Sequence, residues 1–258
     1  MNMRKPVVAG TFYPGEKDEL KRMIKWCEEH ELGAKKGGLN AKYGIVPHAG
    51  YMYSGPCATH TYKNLKESKL YVILGTNHTG YGRGYGASGE DWETPLGIVK
   101  TDKELAEKIG IDEEAHRYEH SIEVQLPFLQ YYFKGFKILP ISVRDANPRE
   151  LAKELMRLLK GRDFSVIASS DFTHYGPAYG FFGPKDLDKL ALKAIEEVNV
   201  RKFLEVAEQT TICGYLPIAT LLYMVKKEGL RGKVLKYYTS ADIIRSINFV
   251  GYGSVVFV

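Results

Sequence analysis

The sequence predicts a single α/β domain: a central mixed, largely parallel sheet flanked by helices. Three observations carry that reading. Short runs rich in Val and Ile alternate with helix-period segments along most of the chain. Three of those runs lead, past Gly, Pro, Ser or Asp, to a histidine: "GIVPHAG" to His48, "YVILGTNHTG" to His78 and "FSVIASSDFTHYG" to His174. No repeat, low-complexity stretch or linker interrupts the 258 residues, so one domain is expected over 1–258. A chain of that length buries its own core and needs no disulfide or structural metal to hold it.

Each element has a local reason. Leu20, Met23, Ile24 and Cys27 share one face of a helix expected over 15–30. "LGAKKGG" is a loop, and a strand over 44–47 delivers His48. "YSGPCATHTYKNL" opens a helix with Ser54 as its N-cap. A strand over 70–75 delivers His78, and the Gly-rich "GYGRGYGASGEDWETPLG" reads as a long loop with a hairpin. Thr101 and Glu104 match a capping box. "EHSIEVQLPFLQYYF" reads as a helix capped by Ser121 and kinked at Pro127. "FKILPISV" is a strand, followed by a helix with Asn147 as cap, Pro148 at its first position and Gly161 as its stop. After the third histidine strand, two helical patterns occupy 184–208 and another 216–229; "KVLKYYTS" and "FVGYGSVVFV" close as strands.

Composition narrows the function classes. The net charge of +5 is spread among mixed-sign segments, so no nucleic-acid partner is expected, although an anionic ligand would be tolerated. No apolar run approaches the roughly 18 residues of a membrane span, and the first residues lack the apolar core of a signal peptide. Cys27, Cys57 and Cys213 are too few and too scattered for a disulfide framework, which points to a reducing cytoplasm.

No phosphate-binding loop, no G-x-S-x-G and no C-x-x-C is present, and "GYGRGYG" leads into no convincing helix. What remains is His48, His78, His120, His174, Cys213, Glu123 and Asp171. Ligands of open α/β sheets bind beyond the carboxyl ends of strands, so His48, His78 and His174 are expected to share a site. Imidazole and thiolate suit iron, copper and zinc. The bland alternative for Cys213 is a small buried hydrophobe. His120 and Glu123 read either as a pair facing the site or as a helix-terminal contact. Asp171 and His174 read either as a base held by a carboxylate or as a turn cap. His30, His60 and His116 read as surface histidines.

In this order, "VAGTFYP", "PHAGYMYSG", "GTNHTG", "TPLG", "EHSIEVQLPF", "SSDFTHYG" and "TICGYLPI" resemble the Memo family over almost the whole chain. Its microbial members are labelled component B of the AmmeMemoRadiSam system. The resemblance implies a fold similar to class III extradiol dioxygenases, which are non-haem iron enzymes. By motif it implies His48, His78 and Cys213 as metal ligands and His174 in the place of the base. Cys213 stands where those dioxygenases carry a carboxylate, so ring cleavage does not transfer. The softer, oxidisable thiolate favours copper, zinc or thiolate-bound iron. The animal member is described as a phosphotyrosine-peptide binder, and the system's name suggests radical-enzyme neighbours.

The expectation is therefore a metal-dependent redox protein using Fe(II) or Cu, with Zn as the other candidate, acting on an unidentified small molecule or peptide. His48, His78 and Cys213 would hold the ion. His174 would act as base oriented by Asp171, with His120 and Glu123 lining the pocket. The alternatives are a peptide- or protein-binding adaptor with a vestigial pocket, and a zinc hydrolase.

Overall fold

The computed structural model describes residues 3–184 and 186–258. In chain order they form β1 (Met3–Arg4), α1 (Lys17–Glu29), β2 (Tyr43–Val46), α2 (Tyr51–Tyr62), β3 (Leu70–Thr76), β4 (Tyr85–Ala87), β5 (Asp91–Thr94) and β6 (Gly97–Thr101). Next come α3 (Lys103–Ile109), α4 (Glu113–His116), α5 (Leu126–Tyr132), β7 (Lys137–Val143), α6 (Pro148–Leu158), β8 (Phe164–Ser169) and β9 (His174–Tyr175). Helices α7 (Leu187–Glu196), α8 (Val200–Ala207) and α9 (Tyr215–Glu228) lead to β10 (Gly232–Thr239) and β11 (Phe249–Phe257).

The strands form one mixed sheet in the order β1-β5-β6-β7-β3-β8-β2-β11-β10, with β4 added to β7 and β9 to β11. Its centre, β7-β3-β8-β2, is parallel. These central strands are buried on both faces, which is why they read as continuous apolar runs. On β3, Leu70, Val72 and Leu74 pack with α6, α7, α8 and α9, whereas Tyr71 and Ile73 pack with α1, α2 and α5. The fold is thus a three-layer α/β domain, as the alternating pattern predicts.

The central register positions the site. Strands β3, β8 and β2 are neighbours, with Val46 opposite Ser169 and Leu74 opposite Ala168. Their carboxyl ends therefore lie side by side, and Pro47-His48, Asn77-His78 and Ser170-Asp171 leave the sheet at the same edge.

Local start signals proved less exact than the periodicity. Helix α2 begins at Tyr51 with Gly50 as N-cap; Ser54 lies inside its first turn and donates backward to the Ala49 carbonyl. At α3 the cap is Asp102, which accepts from Leu105 N; the Thr101 hydroxyl is committed to Glu90 O across the hairpin. The segment after Ser121 is a 3-10 turn over Glu123–Gln125 followed by α5, so Pro127 opens a helix instead of kinking one. Asn147 and Pro148 start α6 as expected.

Candidate metal centre

His48 follows β2 and is almost fully buried. Its Nδ1 lies 3.0 Å from Ser169 Oγ. Ser169 gives its single proton to the Ser121 carbonyl at 2.7 Å, and its oxygen accepts from Gln125 Nε2 at 2.9 Å. With that proton spent, the hydroxyl only accepts from His48, so Nδ1 carries the proton and Nε2 presents a lone pair. Burial, then repulsion from His78, His120 and His174, holds the His48 pKa well below the usual imidazole range, so the ring is neutral.

His78 follows β3 and is gripped twice by Glu119: its backbone N donates to Oε2 at 2.6 Å and its Nδ1 to Oε1 at 3.0 Å. Burial lowers its pKa, but hydrogen bonds to Cys213 and Glu119 and the Glu119 charge prevail and raise it to about 10. Glu119 shows the counterpart. Its burial raises the pKa, yet the His78 hydrogen bond and the charges of His78 and His120 bring it to about 2. Glu119 also accepts from the backbone N atoms of His120 and Ser121. Again Nδ1 faces an acceptor and Nε2 faces the cavity.

His120 stacks on His78 with centroids 4.7 Å apart and stands perpendicular to His48 at 5.4 Å. The ligand nitrogens of His48, His78 and His120 all lie within 4.8 Å of one another. Cys213 Sγ lies 3.2 Å from His48 Nε2. It is placed by Gly214, whose N donates to Ser170 Oγ at 2.9 Å and whose added Cβ would stand 2.5 Å from Ser170 Cβ. The glycine after the cysteine is thus a packing requirement.

His174 borders the same cavity. Its Nδ1 lies 3.2 Å from the Thr211 carbonyl, which only accepts, so Nδ1 carries the proton and Nε2 presents its lone pair. Thr211 exchanges two further hydrogen bonds with the His174 backbone. This corrects the expectation that Asp171 orients the ring. Asp171 instead accepts from His48 N at 2.8 Å, beneath the cavity; burial raises its pKa to about 6 against the opposing charge of His174.

Glu123 is the larger correction. It is fully buried and faces away from the cavity. It pairs with Arg4 Nη1 at 2.7 Å and accepts from Val7 N, Val8 N and the Tyr13 hydroxyl. It anchors the N-terminal segment and does not line the pocket. His116, expected on the surface, is 1% exposed, with Nε2 3.0 Å from Gly86 O; His30 and His60 are half-buried.

Sequence reasoning missed Glu119, Ser169 and Gln125. Glu119 immediately precedes His120, but helical spacing favours Glu123, and this stretch is not yet helical at 120. Ser169 and Gln125 meet only in the tertiary structure.

The Memo-like protein family model matches residues 4–256. The chain belongs to the Memo family. A MEMO1 family protein of Nitrosopumilus maritimus is 41% identical, covering 99% of this chain and all of the relative. One of Methanosarcina barkeri is 41% identical over 98% of this chain and 99% of its own length. One of Archaeoglobus fulgidus is 40% identical over 99% of each. In this Memo protein the family motifs "PHAGY", "TNHTG" and "TICGY" converge on one cavity of about 650 Å3 and its floor. No helix among the described residues is long and apolar enough to cross a membrane.

Proposed function

We propose that this Memo protein is a metal-dependent oxidoreductase acting on a small molecule in the cavity at the carboxyl ends of β2, β3 and β8. The observation that carries the reading is the direction of the imidazoles. His48, His78 and His174 each have Nδ1 satisfied by a partner behind the ring, leaving Nε2 toward the cavity and, for His48 and His78, toward Cys213; an ion bound there would displace the Nε2 proton of His78. Outer partners of this kind orient ligating histidines and raise their basicity.

The donor set fits a borderline or soft ion. His48, His78 and Cys213 would hold it, with His120 close enough to complete or exchange a position. Iron or copper bound there would supply one-electron or oxygen chemistry; zinc would supply only Lewis acidity. His174 Nε2 is placed to accept a substrate proton, with Nδ1–H held on the Thr211 carbonyl as charge develops. Phe12 and Tyr179 wall the cavity. The three cysteines are all unpaired, in keeping with a cytoplasmic protein.

Anaerobic calorimetry with Fe(II), Cu(I) and Zn(II) tests the proposal. One-to-one binding weakened by about 100-fold or more in both His48→Ala and Cys213→Ala is expected, with oxygen consumption confined to the iron or copper form. Equal binding by wild type and both variants would overturn the metal reading and favour a peptide-binding adaptor.

A further inference from the structure

A second concave region lies away from the histidines. The β5–β6 hairpin, the start of α1 and the stretch from Gln130 to Phe136 enclose a groove of about 570 Å3, which falls in the range for a small-molecule site. Phe133, Lys134 and Phe136 lead into β7, which runs parallel to β3, and Lys100 of β6 stands opposite Lys137. The groove therefore opens at the amino ends of these strands, at the other edge of the sheet from His78.

Its walls are fixed. Gln130 Oε1 accepts from Thr94 Oγ1 and Gln130 Nε2 donates to Gly97 O at 3.1 Å, which ties the hairpin to α5. Phe133 and Phe136 pack on Tyr71, with ring centroids 5.1 and 5.2 Å from it. Leu96, Val99 and these two rings make the lining apolar, and Ile98 is left 53% exposed beside them.

The charge of the groove has one sign. Among the described residues Lys17, Lys21 and Lys134 line it, with no carboxylate and no arginine. Lys134 Nζ donates to Gln130 O at 2.6 Å, which holds its ammonium at the end of α5. Neither the Lys17 nor the Lys21 ammonium has a hydrogen-bond or ion-pair partner among the described residues. Lys17 opens α1 and Lys21 stands one turn on. Local energetics disfavours that arrangement, because a cation in the first turn opposes the helix dipole and like charges at i, i+4 repel. Glu19 of the same turn lines a different groove, with Arg22 and Trp26. The two uncompensated charges thus border an apolar hollow and meet no acid.

Ammonium groups act as point charges and suit phosphate, whereas the planar fork that grips a carboxylate through two parallel bonds belongs to arginine. A phosphate monoester carries about −1.5 to −2 charges at neutral pH, enough to answer both lysines. We infer that this groove is a second ligand site for a soluble phosphate monoester with an apolar body, its phosphate on Lys17 and Lys21 and its body against Ile98 and Phe136. The inference does not rest on the metal reading, since the two cavities share no lining residue.

The test is an amide-resolved NMR titration of the whole protein with hexyl phosphate, hexanol and inorganic phosphate, beside sedimentation with phosphatidylcholine vesicles containing phosphatidic acid. Wild type should bind hexyl phosphate about tenfold or more tighter than either fragment, with shifts at residues 96–99 and 130–136. Lys17, Lys21 and Ile98 are exposed, so substitutions there should leave the fold intact. The double variant Lys17→Gln, Lys21→Gln should bring hexyl phosphate to within about threefold of hexanol, while its urea midpoint equals or exceeds that of wild type. Ile98→Ser should weaken hexyl phosphate about threefold and leave inorganic phosphate unchanged. Shifts confined to the histidine cavity would overturn the inference. So would an affinity that survives the double lysine variant, or binding to the vesicles without binding to hexyl phosphate.

Discussion

Glu119 and Glu123 lie one helical turn apart in sequence and on opposite sides of the same wall. Glu119 lies behind the cavity's histidines and grips His78 through backbone and ring. Glu123 faces the interior and holds Arg4, Val7, Val8 and Tyr13. Both are buried carboxylates with several donors, yet one charge orients a functional ring and the other fixes a chain segment. A buried carboxylate is therefore not in itself a sign of chemistry. What matters is whether its cationic partner is free to meet something else. His78 has a second nitrogen on the cavity, whereas Arg4 spends its guanidinium on Glu123 and on the carbonyls of Lys5, His116 and Glu119.

Breaking the interior side should produce the largest effect. Glu123→Gln leaves Arg4 without its counter-charge in a sealed site, and removing one member of such a pair costs about 3–5 kcal/mol. Chemical denaturation should show that loss, while the metal affinity of the folded fraction stays within about threefold of wild type. A comparable loss of metal affinity would show that the two sides of the wall are not independent.

The next effect sharpens the same side through pH. Burial, with the nearby Arg4 charge, lowers the His116 pKa to about 4. The unfolded chain takes up this proton near pH 6.5, so between pH 6.5 and 4 it holds a proton the folded state refuses. The stability from neutral His116 is fully present above pH 6.5 and lost as pH falls. The stability difference between wild type and His116→Asn should shift by about 3 kcal/mol against wild type from pH 7 to pH 4. Parallel pH profiles for the two proteins would show that His116 is not the group responsible.

Breaking the cavity side should be milder in stability and specific in function. Glu119→Gln and Ser169→Ala each remove the group behind a histidine ring. Each should weaken metal binding about 10- to 100-fold in calorimetry, while circular dichroism remains native. An effect equal to that of His48→Ala would make them more than orienting residues. The smallest expected effect lies remote from both sides. Asn147 caps α6 by accepting from Arg149 N and Glu150 N. Asn147→Ala should cost about 1 kcal/mol with metal affinity unchanged.

Much of the architecture was legible because the central strands are sealed on both faces and their sequences are unbroken apolar runs ending at polar turns. His48 and His78 could be placed at one edge from that pattern alone, once β2, β3 and β8 are read as parallel neighbours. The direction of the 119–125 segment was not legible. It depends on residues 4–8 docking more than a hundred positions upstream, and no local periodicity reports a contact of that range. The roles of Ser169 and Gln125 were hidden for the same reason. A serine at a strand end looks like a turn residue until the proton it gives to Ser121 O shows that it can only accept from His48.

The wide spacing of the cavity groups along the chain has a consequence for how the protein would take up an ion. His48, His78, His120 and Cys213 come from the ends of two strands, a turn and the approach to α9. No two of them are sequence neighbours, so the unfolded chain offers no preformed chelate. Folding would have to precede metallation, and an ion held there would add a tertiary cross-link between segments already joined by the Glu119–His78, Ser169–His48 and Ser170–Gly214 hydrogen bonds. An ion present at 100 times its dissociation constant would add about 2.7 kcal/mol to the folded state, joining the cell's metal supply to the lifetime of the fold.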